Sequence, residues 1–188
     1  FSEISSFGGK VIKSLKEHES GSDRIAEVVE KMEVDVIVNV QGDEPFMERK
    51  PLADLLHAFS DDTVQVASLM HRIFVDEEVR NPNIVKVVVD NNNFSLMFSR
   101  SVIPHKRNAD TEADYFRHIG VYAYRKEALM QFIQWPVGKL ENIEKLEQLR
   151  YLENGIKIKM IETDKLSMGI DTPEDLDKAK QFLAQLMG

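Results

Sequence analysis

The sequence predicts a three-layer α/β/α domain with a mixed, mostly parallel sheet. Two observations carry this expectation. Strand-like runs alternate with segments of helical periodicity along the chain, the pattern of a sheet covered by helices. One hairpin signal, Asp90-Asn91-Asn92-Asn93 between Ile84–Val89 and Phe94–Phe98, inserts an antiparallel pair and makes the sheet mixed.

Taken in order, Phe1 to Gly9 reads as the tail of a helix closed by Gly8-Gly9, and Lys10 to Ser14 as a short strand. Ser22 is placed to cap a helix whose apolar face is Ile25, Ala26, Val28, Val29 and Met32. Val36–Val40 is an apolar, β-branched run expected to be a buried strand, and the polar turn Gln41–Pro45 follows it. A helix spans Leu52–Phe59 with Pro51 in its first turn, and Val64–Leu69 is a strand. Pro82-Asn83 breaks the chain before the hairpin. His105–Asp114 is polar and irregular, the segment best suited to a mobile loop. His118–Tyr124 is a strand, Lys126–Trp135 a helix, and Leu140–Glu153 a helix closed by Asn154-Gly155. Ile156–Glu162 is the last long strand and Pro173–Met187 the closing helix, with Thr172 as its cap.

Composition narrows the function. The 188 residues fit one domain, 1–188, long enough to bury a core, and 43% hydrophobic with 30% charged residues is ordinary for a globular protein. No stretch approaches the roughly eighteen apolar residues of a membrane helix, and no secretory leader is apparent, so no membrane insertion is expected. The absence of cysteine excludes disulfides and thiolate metal sites and fits a cytoplasmic location. A net charge of −8 argues against a nucleic-acid partner, although a local basic cluster or a metal can still hold an anionic small molecule.

The most informative string is Asp35-Val36-Ile37-Val38-Asn39-Val40-Gln41-Gly42-Asp43-Glu44-Pro45. In open α/β sheets ligands sit beyond the carboxyl ends of strands, which is where it puts Asp43. Asp171 has a matching setting in Gly169-Ile170-Asp171-Thr172-Pro173, between a short strand and a helix start. Either acid alone is ordinary turn chemistry. Together, two strand-end carboxylates suit Mg²⁺, which binds through one or two protein acids plus phosphates.

Other strings are weaker taken singly. In His18-Glu19-Ser20-Gly21-Ser22-Asp23-Arg24, Gly21 lets backbone approach a ligand at a helix start, and the same residues also make a plain capped helix. Arg100, Arg117 and His118 stand beside aromatic strands, where cations are usually structural or solvated but can recognise carboxylate or phosphate. Glu147 follows Leu140 and Ile143 by seven and four residues, which puts an acid on the apolar face of the expected helix, with Gln148 beside it.

In sequence order, Glu-Ser-Gly-Ser-Asp-Arg, Asn-Val-Gln-Gly-Asp-Glu-Pro, Val-Lys-Val-Val-Val-Asp, Phe-Ser-Arg-Ser-Val-Ile-Pro, Arg-His-Ile-Gly-Val-Tyr-Ala-Tyr-Arg, Leu-Glu-Gln-Leu-Arg and Gly-Ile-Asp-Thr-Pro-Glu-Asp-Leu span essentially the whole chain. This set closely resembles the 3-deoxy-manno-octulosonate (Kdo) cytidylyltransferases, or CMP-Kdo synthetases. The resemblance implies a nucleotide-diphospho-sugar-transferase-like fold, a homodimer, and transfer of CMP from CTP to Kdo for lipopolysaccharide assembly. It implies that Asp43 and Asp171 share Mg²⁺. Ser20, Gly21, Asp23, Arg24 and Gln41 would then meet the nucleotide. Arg100, His118, Tyr122, Glu147 and Gln148 would line the sugar pocket, the cations facing the sugar's carboxylate. The glycine-, arginine- and lysine-bearing loop that grips the triphosphate in the family has no counterpart after Phe1, so the sequence is expected to lack that N-terminal strand and loop. Two rival expectations stand beside this one: activation of another acidic sugar, such as an 8-amino Kdo analogue or a sialic acid, and a non-catalytic binding module.

Overall fold

The computed structural model describes residues 2–18, 20–108, 110–165, 169–170 and 172–187, without the side chains of 173, 186 and 187. Its six strands are β1 (Val36–Asn39), β2 (Val66–Ile73), β3 (Lys86–Val89), β4 (Ser95–Ser99), β5 (Tyr115–Arg125) and β6 (Ile158–Glu162). They form one sheet in the order β4-β3-β5-β2-β6, with β1 on the far half of β5. The sheet is mixed, as expected, but its neighbours are mainly antiparallel. β5 runs against β1, β2 and β3, β3 against β4, and only β2–β6 is a parallel pair among the described strands. Four strands do share one direction. The long β5 inserts between them and separates would-be parallel neighbours, which sequence order alone does not reveal.

Among the described residues the α-helices are α1 (Ser2–Ser6), α2 (Gly21–Val29), α3 (Arg49–His57), α4 (Asp76–Arg80), α5 (Lys126–Phe132), α6 (Lys139–Glu144), α7 (Leu149–Glu153) and α8 (Pro173–Met187). They cover both faces of the sheet. One core packs Ala26 and Val29 of α2, Leu129 and Phe132 of α5, and Leu149 and Tyr151 of α7 against Met70, Phe98, Ile158 and Met160. The other packs Leu55 of α3 and Phe59 against Ala67, Leu69, Ile119, Val121 and Ala123. Burying both faces supplies the driving force that fixes strand register here.

Three local expectations are corrected. Lys10–Ser14 pairs with no described strand, and Ile12 and Leu15 are 57% and 88% exposed. The α2 cap is Ser20 rather than Ser22. Ser20 Oγ accepts from the Asp23 amide at 3.2 Å while the Asp23 carboxylate accepts from the Ser20 amide at 3.1 Å, a capping box that starts the helix two residues earlier. Ser22 is instead buried.

The third correction is the segment Leu140–Glu153, which is two helices. α6 stops at Lys145, whose φ is 55°, and α7 starts at Leu149. Arg150 explains the break. Its Nε and Nη2 donate to the two carboxylate oxygens of Glu141 at 2.8 and 2.6 Å, and both side chains are buried. Nine residues along a continuous helix is two and a half turns, which would put the two side chains on opposite faces. The chain must fold back for the pair to form. Glu153 then caps α6, accepting from the Leu140 amide at 3.0 Å, and a Cβ at Gly138 would lie 1.9 Å from its carboxylate.

Candidate functional site

A bulge in β5 builds the site. Ser68 pairs with Tyr122 and Leu69 with Ile119, so Gly120 and Val121 are extra on the β5 side. Ser68 Oγ donates to the carbonyls of Val121 and Ile119 at 2.9 and 3.2 Å, which satisfies groups that the interrupted ladder frees, and it meets His118 Nε2 at 2.9 Å. In an unbroken strand residues 118 and 122 stand about 13 Å apart. Here their rings lie 5.3 Å apart, with Phe98 edge-on to His118 at 5.2 Å.

That bulge opens onto a cavity of 590 Å³ lined by Gln41, Arg100, His118, Tyr122, Glu147 and Gln148, together with Glu44, Asn83, Arg117, Lys145, Gly169 and Asp175 among others. Six residues singled out in the sequence thus meet in one place. The β1 turn supplies Gln41, the bulge His118 and Tyr122, the end of the hairpin Arg100, and the α6–α7 linker Glu147 and Gln148. Glu147 is therefore on a linker, not on the helix face that drew attention to it.

Burial sets the charge states. His118 is pushed down to about 3 by desolvation, so its imidazole is neutral and hydrogen-bonds to Ser68. This corrects the expectation that His118 faces an anion as a cation. Burial, followed by the neighbouring Tyr124 and Glu147, pushes the Tyr122 phenol up, so it remains a donor. Tyr151 is likewise raised by burial. Behind the site, a 10 Å³ cavity lined by Ser22, Tyr122, Tyr124, Glu147, Gln148 and Tyr151 reaches the start of α2.

Asp43 precedes Glu44, which lines the 590 Å³ cavity, but is not itself among its lining residues. The Ile170 amide donates to the Asp43 carbonyl at 2.9 Å, which ties the β1 turn to the segment leading into α8. Phe46 packs edge-on against Phe182 of α8 at 5.1 Å and holds the same contact. Asp171 itself lies outside the described residues. Asp43 Oδ1 and Glu44 Oε2 are buried without a hydrogen-bond partner among the described residues. Hard, unpartnered carboxylate oxygens of this kind fit Mg²⁺. Among the described residues no group of three His, Asp or Glu side chains converges as a metal cluster.

Ser20, Gly21, Asp23 and Arg24 do not line the 590 Å³ cavity. Ser20 and Asp23 are joined in the capping box, and only Ser22 of that stretch reaches the back of the site. Glu44, Asn83, Lys145 and Asp175 were not among the expected site residues, and Arg117 was read only as a cation beside an aromatic strand. Arg117 and Glu44 adjoin singled-out residues, and that adjacency was the available signal. A larger cavity of 770 Å³, lined by Arg72, Phe74, Arg80, Val102, His105 and Tyr115 among others, contains none of the expected site residues.

Residues 2–158 match the cytidylyltransferase family, and the chain belongs to it. The solved CMP:2-keto-3-deoxy-manno-octonic acid synthetase complexed with CTP superposes with a TM-score of 0.92 at 41% identity, covering 98% of this chain and 76% of that one. A 3-deoxy-manno-octulosonate cytidylyltransferase of Flavobacterium johnsoniae is 56% identical over 99% of this chain and 78% of its own length. One from Escherichia coli is 43% identical over 97% and 74%. Within the cytidylyltransferases, this chain is a member of the 3-deoxy-manno-octulosonate cytidylyltransferase family. A 4-diphosphocytidyl-2C-methyl-D-erythritol synthase of Anaerococcus prevotii, at 11% identity and a TM-score of 0.61, shares the fold.

Proposed function

We propose that this chain transfers CMP from CTP to 3-deoxy-manno-octulosonate, releasing pyrophosphate. The carrying observation is the convergence of Gln41, Arg100, His118, Tyr122, Glu147 and Gln148 on one cavity beside Asp43, in a chain 56% identical to a relative of that name. The sugar's anomeric hydroxyl attacks the α-phosphorus in line, and a new O–P bond forms as the bond to pyrophosphate breaks. Such displacements depend mainly on positioning and charge stabilisation. Tyr122 and Gln148 donate to sugar oxygens, Glu147 accepts from sugar hydroxyls, and neutral His118 holds the bulge through Ser68. Asp43 and Asp171 are the residues that would hold Mg²⁺, which when bound offsets phosphate charge. The start of α2 and Gln41 border the nucleotide.

On this reading the product feeds lipopolysaccharide assembly in the cytoplasm. The protein acts as a symmetric dimer, for which the exposed Phe74 and Val102 at the mouth of the 770 Å³ cavity offer apolar surface. Pyrophosphate release with CTP and Kdo tests the activity. Equal or faster release with an 8-amino Kdo analogue or a sialic acid would reassign the substrate, and a monomer mass by light scattering at micromolar concentration would remove the dimer.

A further inference from the structure

The chain in front of α2 is held to the fold by the side chain of Glu27. Among the described residues, 10–18 make no main-chain hydrogen bond to the main chain of the rest of the protein. Packing does little for them, since Ile12 and Leu15 are exposed. Glu27, on the second turn of α2, supplies the polar anchor. Its Oε1 accepts from the Leu15 amide at 3.0 Å. Its Oε2 accepts from Ser14 Oγ at 2.8 Å and lies 2.5 Å from His18 Nε2. Ser14 Oγ and His18 Nε2 meet each other at 2.8 Å.

Helical spacing makes this the second tie on one face of α2. Asp23 and Glu27 are four residues apart, about one turn, so the capping box and the Glu27 contacts lie one above the other. The chain entering the helix is thus held at Ser20 by Asp23 and at Ser14–His18 by Glu27. The Ser14 hydroxyl, the Leu15 amide and His18 hold the Glu27 carboxyl at about 2, so it is an anion at neutral pH and its bonds are charge-assisted. Packing does not brace the Gly21 side of the turn, because a Cβ there would meet nothing within 4 Å.

Glu27 is poorly suited to meet CTP itself. The 440 Å³ cavity it lines carries four acids, Glu17, Asp23, Glu27 and Glu30, against Lys16, a wall that repels a triphosphate. It is no core residue either, since Ala26 and Val29 are the α2 residues buried in the core. What it acts on is the segment it holds.

We infer that Glu27 is a positioning residue for the nucleotide: it latches Ser14–His18 onto α2 and so keeps the Ser20–Arg24 turn in place to receive CTP. The inference rests on the proposed function, because it takes the start of α2 as the border of the nucleotide.

The test measures KM for CTP and for Kdo, kcat, and hydrogen exchange at the Leu15 amide in the wild type, Glu27→Ala, Glu27→Gln and Glu30→Gln. Glu27→Ala is expected to raise KM for CTP about five- to twentyfold, to keep KM for Kdo within about twofold and kcat within about threefold, and to speed exchange at Leu15. Glu27→Gln keeps a carbonyl oxygen for the Leu15 amide but no charge, so it should fall between, and it decides the matter if the Ala variant fails to fold. Glu30→Gln removes an acid of the same cavity whose side chain makes no described contact with the segment, and it should leave every value at the wild-type level. Glu27 variants with an unchanged KM for CTP, with unchanged Leu15 exchange, or with both KM values raised together would overturn the inference and leave the proposed function intact. An equal rise in KM for CTP in Glu30→Gln would do the same, since the charge of the wall alone would then be responsible. A wild type that neither binds nor turns over CTP overturns both.

Discussion

Two clusters of buried or half-buried charge lie close together in this fold, and they are treated oppositely. At the α6–α7 break, the buried Glu141 and Arg150 are hydrogen-bonded to one another, the exposed Glu153 accepts from a helix amide, and the Arg150 guanidinium lies 4.2 Å from the Phe132 ring centre. Around the cavity, Asp43, Glu44, Arg117 and Glu147 each leave a buried atom without a partner among the described residues. Buried polar atoms in folded proteins are normally satisfied, and leaving one bare costs about 1–3 kcal/mol. The first cluster therefore shapes the chain and the second awaits what the chain binds. The distinction can be broken by substitution, because shaping residues should move stability and waiting residues should move substrate kinetics.

The largest effect is expected at Arg150. Arg150→Met leaves Glu141 buried without its counter-charge, which should destabilise the fold by about 3–5 kcal/mol. Adding Glu141→Gln should restore part of that loss, and urea unfolding of the single and double variants measures both. The next largest belongs to the other cluster. Asp43→Asn is expected to lower turnover by about a hundredfold or more while the melting temperature stays within a few degrees, since one ligand charge near the phosphates is lost and Asp43 Oδ1 has no hydrogen-bond partner to lose among the described residues. Near-normal turnover at saturating Mg²⁺ would remove Asp43 from the waiting set.

The clusters were not equally legible in the sequence. Asp43 stands at the end of an apolar strand, so strand periodicity and the strand-end rule placed it, and the Ile170–Asp43 hydrogen bond ties the β1 turn to the segment before α8. The hairpin was legible too, because Asn93 takes the positive φ of 58° that its turn demands. The break after Glu144 was not. Leu140, Ile143 and Glu147 fit helical spacing, and only the Glu141–Arg150 pair, nine residues apart, reveals the fold-back. Ile143 is 76% exposed, so the apolar face inferred from spacing is not the buried one. Glu147 was thus selected by a face that does not exist, yet it lines the cavity. Arg117 stood in a string that puts cations beside an aromatic strand, but an arginine there is usually structural or solvated, and its place in the cavity shows only once its neighbours are known.

His118 belongs to both regions, being enclosed like a core residue while lining the cavity, and pH separates the two. Its folded value, near 3, is below the ordinary 6.5, so the unfolded chain takes up the proton first as pH falls. The stability it contributes is complete above about pH 6.5 and is lost progressively down to about pH 3, by about 2 kcal/mol between pH 6.5 and 5 for one proton. His118→Gln should flatten that limb of the melting temperature against pH relative to wild type. An unchanged acid slope would mean that His118 takes up its proton as readily in the folded chain as in the unfolded one.

The smallest expected effect is also the sharpest test of the comparison. Among the described residues Glu147 Oε1 is buried without a partner, and the phenol of Tyr151, which lines the same 10 Å³ cavity, has none either. If Glu147 waits for sugar hydroxyls, replacing it with the neutral isostere removes a charged acceptor from one substrate only. Glu147→Gln should then raise KM for Kdo about three- to tenfold and leave KM for CTP unchanged. The fold should be no less stable, because an uncompensated buried carboxylate is replaced by an amide that is easier to desolvate. If Glu147 instead shapes the linker as Glu141 does, the order reverses: the melting temperature falls and both KM values hold. Measuring melting temperature beside the two KM values on this variant places the residue in one cluster or the other, and a loss of stability with unchanged kinetics would end the claim that bare buried atoms here mark the substrate.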